Sequence, residues 1–198
     1  MLARFKTPEQ IQTFIDAMPT NHELGGETCL AVAGSLQAGE IHCLEGALIA
    51  ACALWSQGHP PLLMNFKAQG DDDHAVTLFR RGRYWGALSK SNHVWLRWRD
   101  PVYRSLRELA MSYFHEYVSG ANKTLRAYSR PFDLRRYDTA VWASGTESCW
   151  DLAVDLNECR HYPLITPQQA KLLRKRDAFE QQAGRLIQYP QPVTSKAK

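Results

Sequence analysis

The sequence predicts an α+β fold, in which a buried N-terminal helix packs on a small antiparallel sheet and additional helices complete the core. The segment Glu40–Trp55 is apolar almost all round, as in a helix that is buried on most sides. After residue 60 the pattern changes to short alternating runs separated by turn residues, which is typical of antiparallel strands. The chain has 198 residues, 44% of them hydrophobic and 22% charged, which is enough for one substantial core.

The first element is a helix that begins at Pro8. Thr7 can cap it, proline suits the first helical position, and Gln10 completes a capping box. Pro19 ends this helix after one apolar face, formed by Ile11, Phe14, Ile15 and Met18. The second helix, Glu40–Trp55, has Glu45 as its main charge, and Gly58 with the prolines that follow stops it.

Four strand candidates follow the buried helix. Two of them flank Arg81-Gly82, which predicts a tight antiparallel hairpin. They are "PLLMNFKA" (61–68), "HAVTLF" (74–79), "RYWGAL" (83–88) and "VWLRW" (94–98). The sheet is therefore expected to have three or four strands.

The second half of the chain is predicted to be mainly helical or irregular. Asp100-Pro101 is expected to open a helix, residues 120–145 to be irregular, and Thr166-Pro167 to start a last helix that runs to about Ile187. Residues 1–188 are interpreted as a single domain with its core at about 35–118. Residues 189–198 are interpreted as a flexible C-terminal tail.

Composition favours a cytoplasmic protein with free thiols. Five cysteines occur without a Cys-x-x-Cys pair, no secretory signal opens the chain, and no apolar run is long enough to cross a membrane. The net charge of +4 permits acidic partners without requiring them. Arginines near Trp95 and Trp98 could bind nucleic acid, but a sheet with one solvated face is the simpler interpretation, so nucleic acid is not expected as a partner.

Cys43 and His74 are the candidate chemical pair. A thiol near a helix N-terminus has a lowered pKa, and an imidazole can exchange protons with it. Cys52 lies mid-helix in apolar surroundings, which should raise its pKa. A second interpretation makes Cys43 a small core residue and His74 a locally hydrogen-bonded one, next to a solvated turn at Asp71–Asp73. The spacing of these aspartates matches no defined metal site, and no metal or other cofactor is expected.

The ordered segments "HCLEGALIAACALWSQGHPPLLM" and "DDHAVTLFRRGRYWGAL" resemble the core of the transglutaminase-like superfamily, within the papain-like group of thiol enzymes. The resemblance implies that Cys43 is the nucleophile and His74 the general base. The family's third member is usually an aspartate, but no carboxylate lies between Asp73 and Asp100. Asn92, or more weakly Ser89, would then orient the imidazole. Gln37 stands where papain-like proteases carry an oxyanion-hole glutamine.

These residues predict a thiol hydrolase or acyltransferase that acts on an amide or ester of a small molecule or peptide. The alternative is a catalytically inactive transglutaminase-like binding or scaffold module, in which the third catalytic position has been lost. The sequence gives no indication of the oligomeric state.

Overall fold

The computed structural model describes residues 1–191 of the chain, and residues 192–198, most of the predicted flexible tail, lie outside the described residues. Residues 1–191 form eight α-helices: α1 (Pro8–Ala17), α2 (Val32–Ala38), α3 (Cys43–Trp55), α4 (Leu106–Met111), α5 (Thr139–Trp142), α6 (Trp150–Glu158), α7 (Pro167–Lys171) and α8 (Ala178–Ala183). Nine strands accompany them: β1 (Leu62–Ala68), β2 (His74–Arg81), β3 (Tyr84–Leu88), β4 (Arg99–Tyr103), β5 (Val118–Ser119), β6 (Asn122–Lys123), β7 (Leu125–Ser129), β8 (Phe132–Asp133) and β9 (His161–Pro163).

Seven of the strands form one sheet, in the order β4-β3-β2-β1-β7-β9, with β8 also pairing with β1. The pairings are antiparallel, so the predicted α+β class and the antiparallel sheet are confirmed. The hairpin expected at Arg81-Gly82 joins β2 to β3, with Gly82 at a φ of 57° in the turn. The sheet is larger than predicted because β7 and β8, from the region expected to be irregular, and β9 extend it beyond β1.

Three other predicted elements differ from the structure. Residues 94–98 are not a strand but begin with a 3₁₀ turn, Val94–Leu96. Pro101 does not open a helix, because it lies within β4, an edge strand in which its missing N–H is tolerated. The single helix expected after Thr166 is divided into α7 and α8, since Asp177 caps a new helix by accepting from the Glu180 N–H at 2.9 Å.

Helix α3 buries most of its residues, and it begins at Cys43 rather than Glu40. The preceding Ile41 is held in extended conformation because its N–H donates to the Pro19 carbonyl at 3.0 Å and its carbonyl accepts from the Asn21 N–H at 3.1 Å. Further along the helix, the Thr77 hydroxyl of β2 donates to the Ala47 carbonyl at 2.6 Å. This contact fixes α3 against the strand that begins at His74.

Both faces of the sheet are covered in the described part of the chain. Ala75 and Phe79 of β2 belong to the hydrophobic cluster that includes α3. Val76 and Leu78 alternate with them and belong to a second cluster, which includes the fully buried Tyr113. No helix in residues 1–191 combines the length and the apolar character that a membrane crossing requires.

Candidate active site around Cys43

Cys43 is the first residue of α3, and the residues on either side of it fix the helix start. The His42 ring caps the helix, because its Nδ1 accepts from the Leu44 N–H at 3.3 Å. The Glu45 carboxylate accepts in return from the His42 N–H at 3.1 Å, which completes a capping box. Cys43 therefore lies in the first turn, where unpaired N–H groups and the positive end of the helix dipole favour a thiolate.

The carboxylate of Glu45 is buried but well hydrogen-bonded. Its Oε1 accepts from the Leu30 N–H and from the Thr28 hydroxyl, each at 3.0 Å. His42 reaches the same segment, with Nε2 at 2.9 Å from the Thr28 carbonyl. These bonds satisfy a charge that would otherwise be costly to bury, and they attach the chain at residues 28–30 to the helix start.

His74 begins β2, and its ring is oriented by Ser89, the residue that follows β3. The His74 Nε2 lies 2.6 Å from the Ser89 Oγ, and both side chains are buried. The partner of the imidazole is thus a neutral hydroxyl, which fixes its orientation without adding negative charge.

Helix α1 holds Ser89 in place through a buried side chain. The Gln12 Oε1 accepts from the Ser89 N–H at 3.0 Å, and the Gln12 Nε2 donates to the Ser89 carbonyl at 2.9 Å. The side-chain amide of Gln12 therefore makes the two backbone hydrogen bonds that a neighbouring strand would otherwise make with Ser89. The chain of contacts from Gln12 through Ser89 sets the position of His74.

The thiol of Cys43 is poised to ionise. Burial raises its pKa, but the neighbouring His42 and His74 imidazoles outweigh that effect and lower the pKa to about 5. Burial instead raises the pKa of Cys52, which lies on the same helix without an imidazole. The pKa values of the two thiols are therefore shifted in opposite directions, and Cys43 is the one favoured as a thiolate near neutral pH.

Two cavities meet at Cys43, which is itself partly exposed. The smaller has a volume of about 230 Å³ and is also lined by His74, Lys90 and Asn92. The larger, of about 560 Å³, continues on the other side toward Trp150. His42, Cys43, Asp72 and Asp73 line both cavities. A substrate lying across the thiol would therefore have space on both sides of its reacting carbonyl.

The other two predicted site residues are not brought to the imidazole. Asn92 lines the smaller cavity, but its amide is engaged with the backbone of Tyr189: Nδ2 donates to the carbonyl and Oδ1 accepts from the N–H, each at 2.8 Å. Gln37 is exposed on α2 and lines neither cavity, because that helix buries Val32, Gly34 and Ser35 instead. An oxyanion role for Gln37 therefore has no support in its position.

Three residues at the cavity were not predicted from the sequence: His42, Lys90 and Thr20. His42 and Glu45 do form the sequence pattern of a capping box, with histidine in the place of the usual small polar residue. No local pattern marks Lys90 or Thr20, which reach the site through the packing of distant segments.

Within residues 1–191, no group of three or more His, Cys, Asp or Glu side chains is arranged to hold a metal ion. Comparisons of the chain with protein-family models and with curated proteins find no match.

Proposed function

We propose that this protein is a transglutaminase-like thiol hydrolase or acyltransferase that acts on an amide or ester. The observation that supports the proposal most strongly is the thiol of Cys43 at a helix N-terminus, beside His74, whose Nε2 is held at 2.6 Å by Ser89. The order of helix, strand, histidine-bearing strand and polar partner is the one that a papain-like core implies. The low thiol pKa suits a reducing compartment, and we propose a cytoplasmic location.

In this mechanism the Cys43 thiolate attacks the carbonyl carbon, forming a C–S bond and a tetrahedral oxyanion. The backbone N–H of Cys43, at the first position of α3, can donate to that oxyanion. When the carbonyl re-forms, the bond to the leaving group breaks, and the His74 imidazolium protonates it. His74 then removes a proton from water or from an acceptor amine or alcohol, which attacks the thioester and releases Cys43.

The experiment is acylation by p-nitrophenyl acetate, a small activated ester. Release of p-nitrophenol is followed by absorbance, and the acetylated residue is located by mass spectrometry of peptides. We expect one acetyl group on Cys43, and none in Cys43→Ser. Cys52→Ser is the matched control on the same helix and should be acylated like the wild type. Acylation that survives in Cys43→Ser would contradict the proposal.

A binding module without turnover is the second candidate, and the neutral Ser89 in the place of a carboxylate favours it. A hydroxyl stabilises the imidazolium less than a carboxylate does. The two functions are distinguished by the fate of the acetylated protein. If the acetyl group on Cys43 persists in water and in the presence of added amines, the binding module is the better description.

A further inference from the structure

A buried cation lines the smaller cavity at Cys43 and has no part in the mechanism above. Lys90 is only 1% exposed, and it shares the cavity with Cys43 and His74. An ammonium group that is removed from water costs several kcal/mol unless charges or hydrogen bonds compensate it. The environment of Lys90 therefore shows whether its charge is already compensated within the protein.

The described part of the chain compensates Lys90 only partly. Its Nζ donates to the Met18 carbonyl and lies 4.7 Å from the centre of the Tyr189 ring. None of the salt bridges in residues 1–191 involves Lys90, and the nearby Asp16 is engaged by Arg97 at 3.5 Å and by Gln12 at 2.9 Å. One of the three N–H groups of Lys90 is thus used, while its positive charge lacks a carboxylate partner.

Gly46 places the stem of Lys90 against the first turn of α3. A Cβ atom at position 46 would lie 2.4 Å from the Lys90 Cβ and 3.2 Å from its Cγ. Glycine within a helix is destabilising relative to alanine. Helix α3 therefore has Gly46, a residue that disfavours helix formation, at the position where the Lys90 side chain packs against it.

A second polar group at the same cavity lacks a partner. The Thr20 Oγ1 is buried and has no hydrogen-bond partner in residues 1–191, and Thr20 lines the smaller cavity with Cys43. Its position is fixed, because the backbone on either side of it is hydrogen-bonded to Ile41, directly before the capping residue of α3. An unpaired buried hydroxyl is destabilising, so a ligand oxygen at this place would relieve that cost.

We infer that Lys90 and Thr20 form a subsite for an anionic oxygen beside the Cys43 thiol. The inference rests on the proposed function, and it adds a recognition element that Gln37 does not supply. The oxygen has two sources: a carboxylate carried by the substrate, or the oxyanion that forms when the thiolate attacks. The carboxylate and the oxyanion would be bound by the same two groups, the Lys90 ammonium and the Thr20 hydroxyl.

Two of the three aspartates that line the cavity have partners of their own. The Asp73 carboxylate is bound by the Lys67 Nζ at 2.7 Å, and the Asp71 carboxylate accepts from the Thr124 hydroxyl at 2.6 Å. Burial and Arg97 lower the pKa of Lys90 to about 8, so the ammonium is charged below neutral pH. The remaining charged or titratable groups that line the cavity are Asp72, His42, Cys43, His74, His93 and Tyr117.

The first test compares two reagents of nearly equal size at about pH 6.5. Iodoacetate carries a carboxylate, and iodoacetamide does not. We expect the ratio of their alkylation rates at Cys43 to exceed that of free cysteine about tenfold, and to return to the free value in Lys90→Met. Thr20→Val, which is nearly isosteric, should give a smaller decrease.

The same variants separate the two sources of the oxygen. Alkylation forms no oxyanion, whereas acylation by p-nitrophenyl acetate does. A decrease of the alkylation ratio in Lys90→Met assigns the oxygen to a substrate carboxylate, and a decrease of the acylation rate of about tenfold assigns it to the oxyanion. If both quantities are unchanged in Lys90→Met and in Thr20→Val, the subsite is refuted.

An experiment without the thiol keeps this inference separate from the proposed function. In Cys43→Ala, acetate is titrated while the amide signals of Thr20 and Lys90 are followed by NMR. We expect saturable shifts with acetate but not with acetamide, and their loss in Cys43→Ala/Lys90→Met. Saturable shifts together with an unreactive Cys43 in the wild type would refute the thiol enzyme and keep the anion subsite. No shift with acetate, together with a wild-type alkylation ratio like that of free cysteine, would refute the subsite.

Discussion

Cys43 and Cys52 lie on the same helix and are both partly buried, yet their surroundings give them opposite chemistry. Cys43 is in the first turn, beside two imidazoles, and its pKa is lowered to about 5. Cys52 lies more than two turns further along, and burial raises its pKa. The comparison shows that an apolar helix does not decide the reactivity of its thiols. The helix terminus and the side chains brought to it decide that reactivity.

The largest effect on acylation is expected from removing the His74 imidazole, which neighbours Cys43 and has no counterpart at Cys52. His74→Gln deletes the proton donor and acceptor, so acylation of Cys43 by p-nitrophenyl acetate should fall by about a hundredfold or more. The thiol pKa should also rise, since one of the two imidazoles that lower it is gone. His93→Gln, which changes a more exposed histidine at the same cavity, is the matched control. Equal decreases in both variants would contradict the assigned role.

The next contrast is in pH dependence. Because the folded pKa of Cys43 lies at about 5, its alkylation by iodoacetamide should be nearly constant above about pH 6 and should decrease as the pH falls through 5. Alkylation of Cys52 should still be rising above pH 8. At about pH 6 we expect Cys43 to react at least about tenfold faster, after allowance for the weaker nucleophilicity of a low-pKa thiolate. Peptide mapping by mass spectrometry measures both sites in one sample.

Ser89→Ala should have a smaller effect on the same reaction. The change leaves the buried His74 Nε2 without its partner, a loss of about 1 kcal/mol, or about fivefold in acylation rate. Ser89→Thr retains a hydroxyl and serves as the control. A normal rate in Ser89→Ala would show that packing alone orients the imidazole.

The smallest effect concerns the stability of the helix rather than its chemistry. Gly46→Ala places a Cβ 2.4 Å from the Lys90 Cβ, and this overpacking should exceed the gain in helix propensity, so that the free energy of unfolding falls by about 1 kcal/mol. Gly25→Ala meets no atom within 4 Å and should leave stability nearly unchanged. Urea unfolding of both variants provides the measurement. A stabilised Gly46→Ala would show that Lys90 does not press on the first turn of α3.

Much of the active-site framework could be predicted from local sequence. The apolar run up to Trp55 predicts α3, and the alternation after His74 predicts β2 and its hairpin with β3, because these patterns follow from helical and strand periodicity. Helix α2 could not be predicted in this way. It is seven residues long, has no side chain capping its N-terminus, and has no acidic residue in its first turn.

The partner of His74 was decided by tertiary structure. Ser89 and Asn92 are three positions apart, and either could reach an imidazole. The choice depends on where β3 ends and on competing hydrogen bonds: Gln12 fixes the backbone of Ser89, and Tyr189 engages the amide of Asn92. Tyr189 is also the first residue of the predicted flexible tail, yet its hydroxyl donates to the Asp16 carbonyl at 2.8 Å.

The sequence by itself determined that one cysteine would stand at the start of a buried helix, because capping and apolar periodicity act over a few residues. It did not determine which groups would surround that sulfur. Those groups come from segments far apart in the chain: α1 for Gln12, the residues just after β3 for Ser89 and Lys90, and the segment after α1 for Thr20, which bridges to Ile41. Their convergence depends on the packing of the whole core, which no local pattern records.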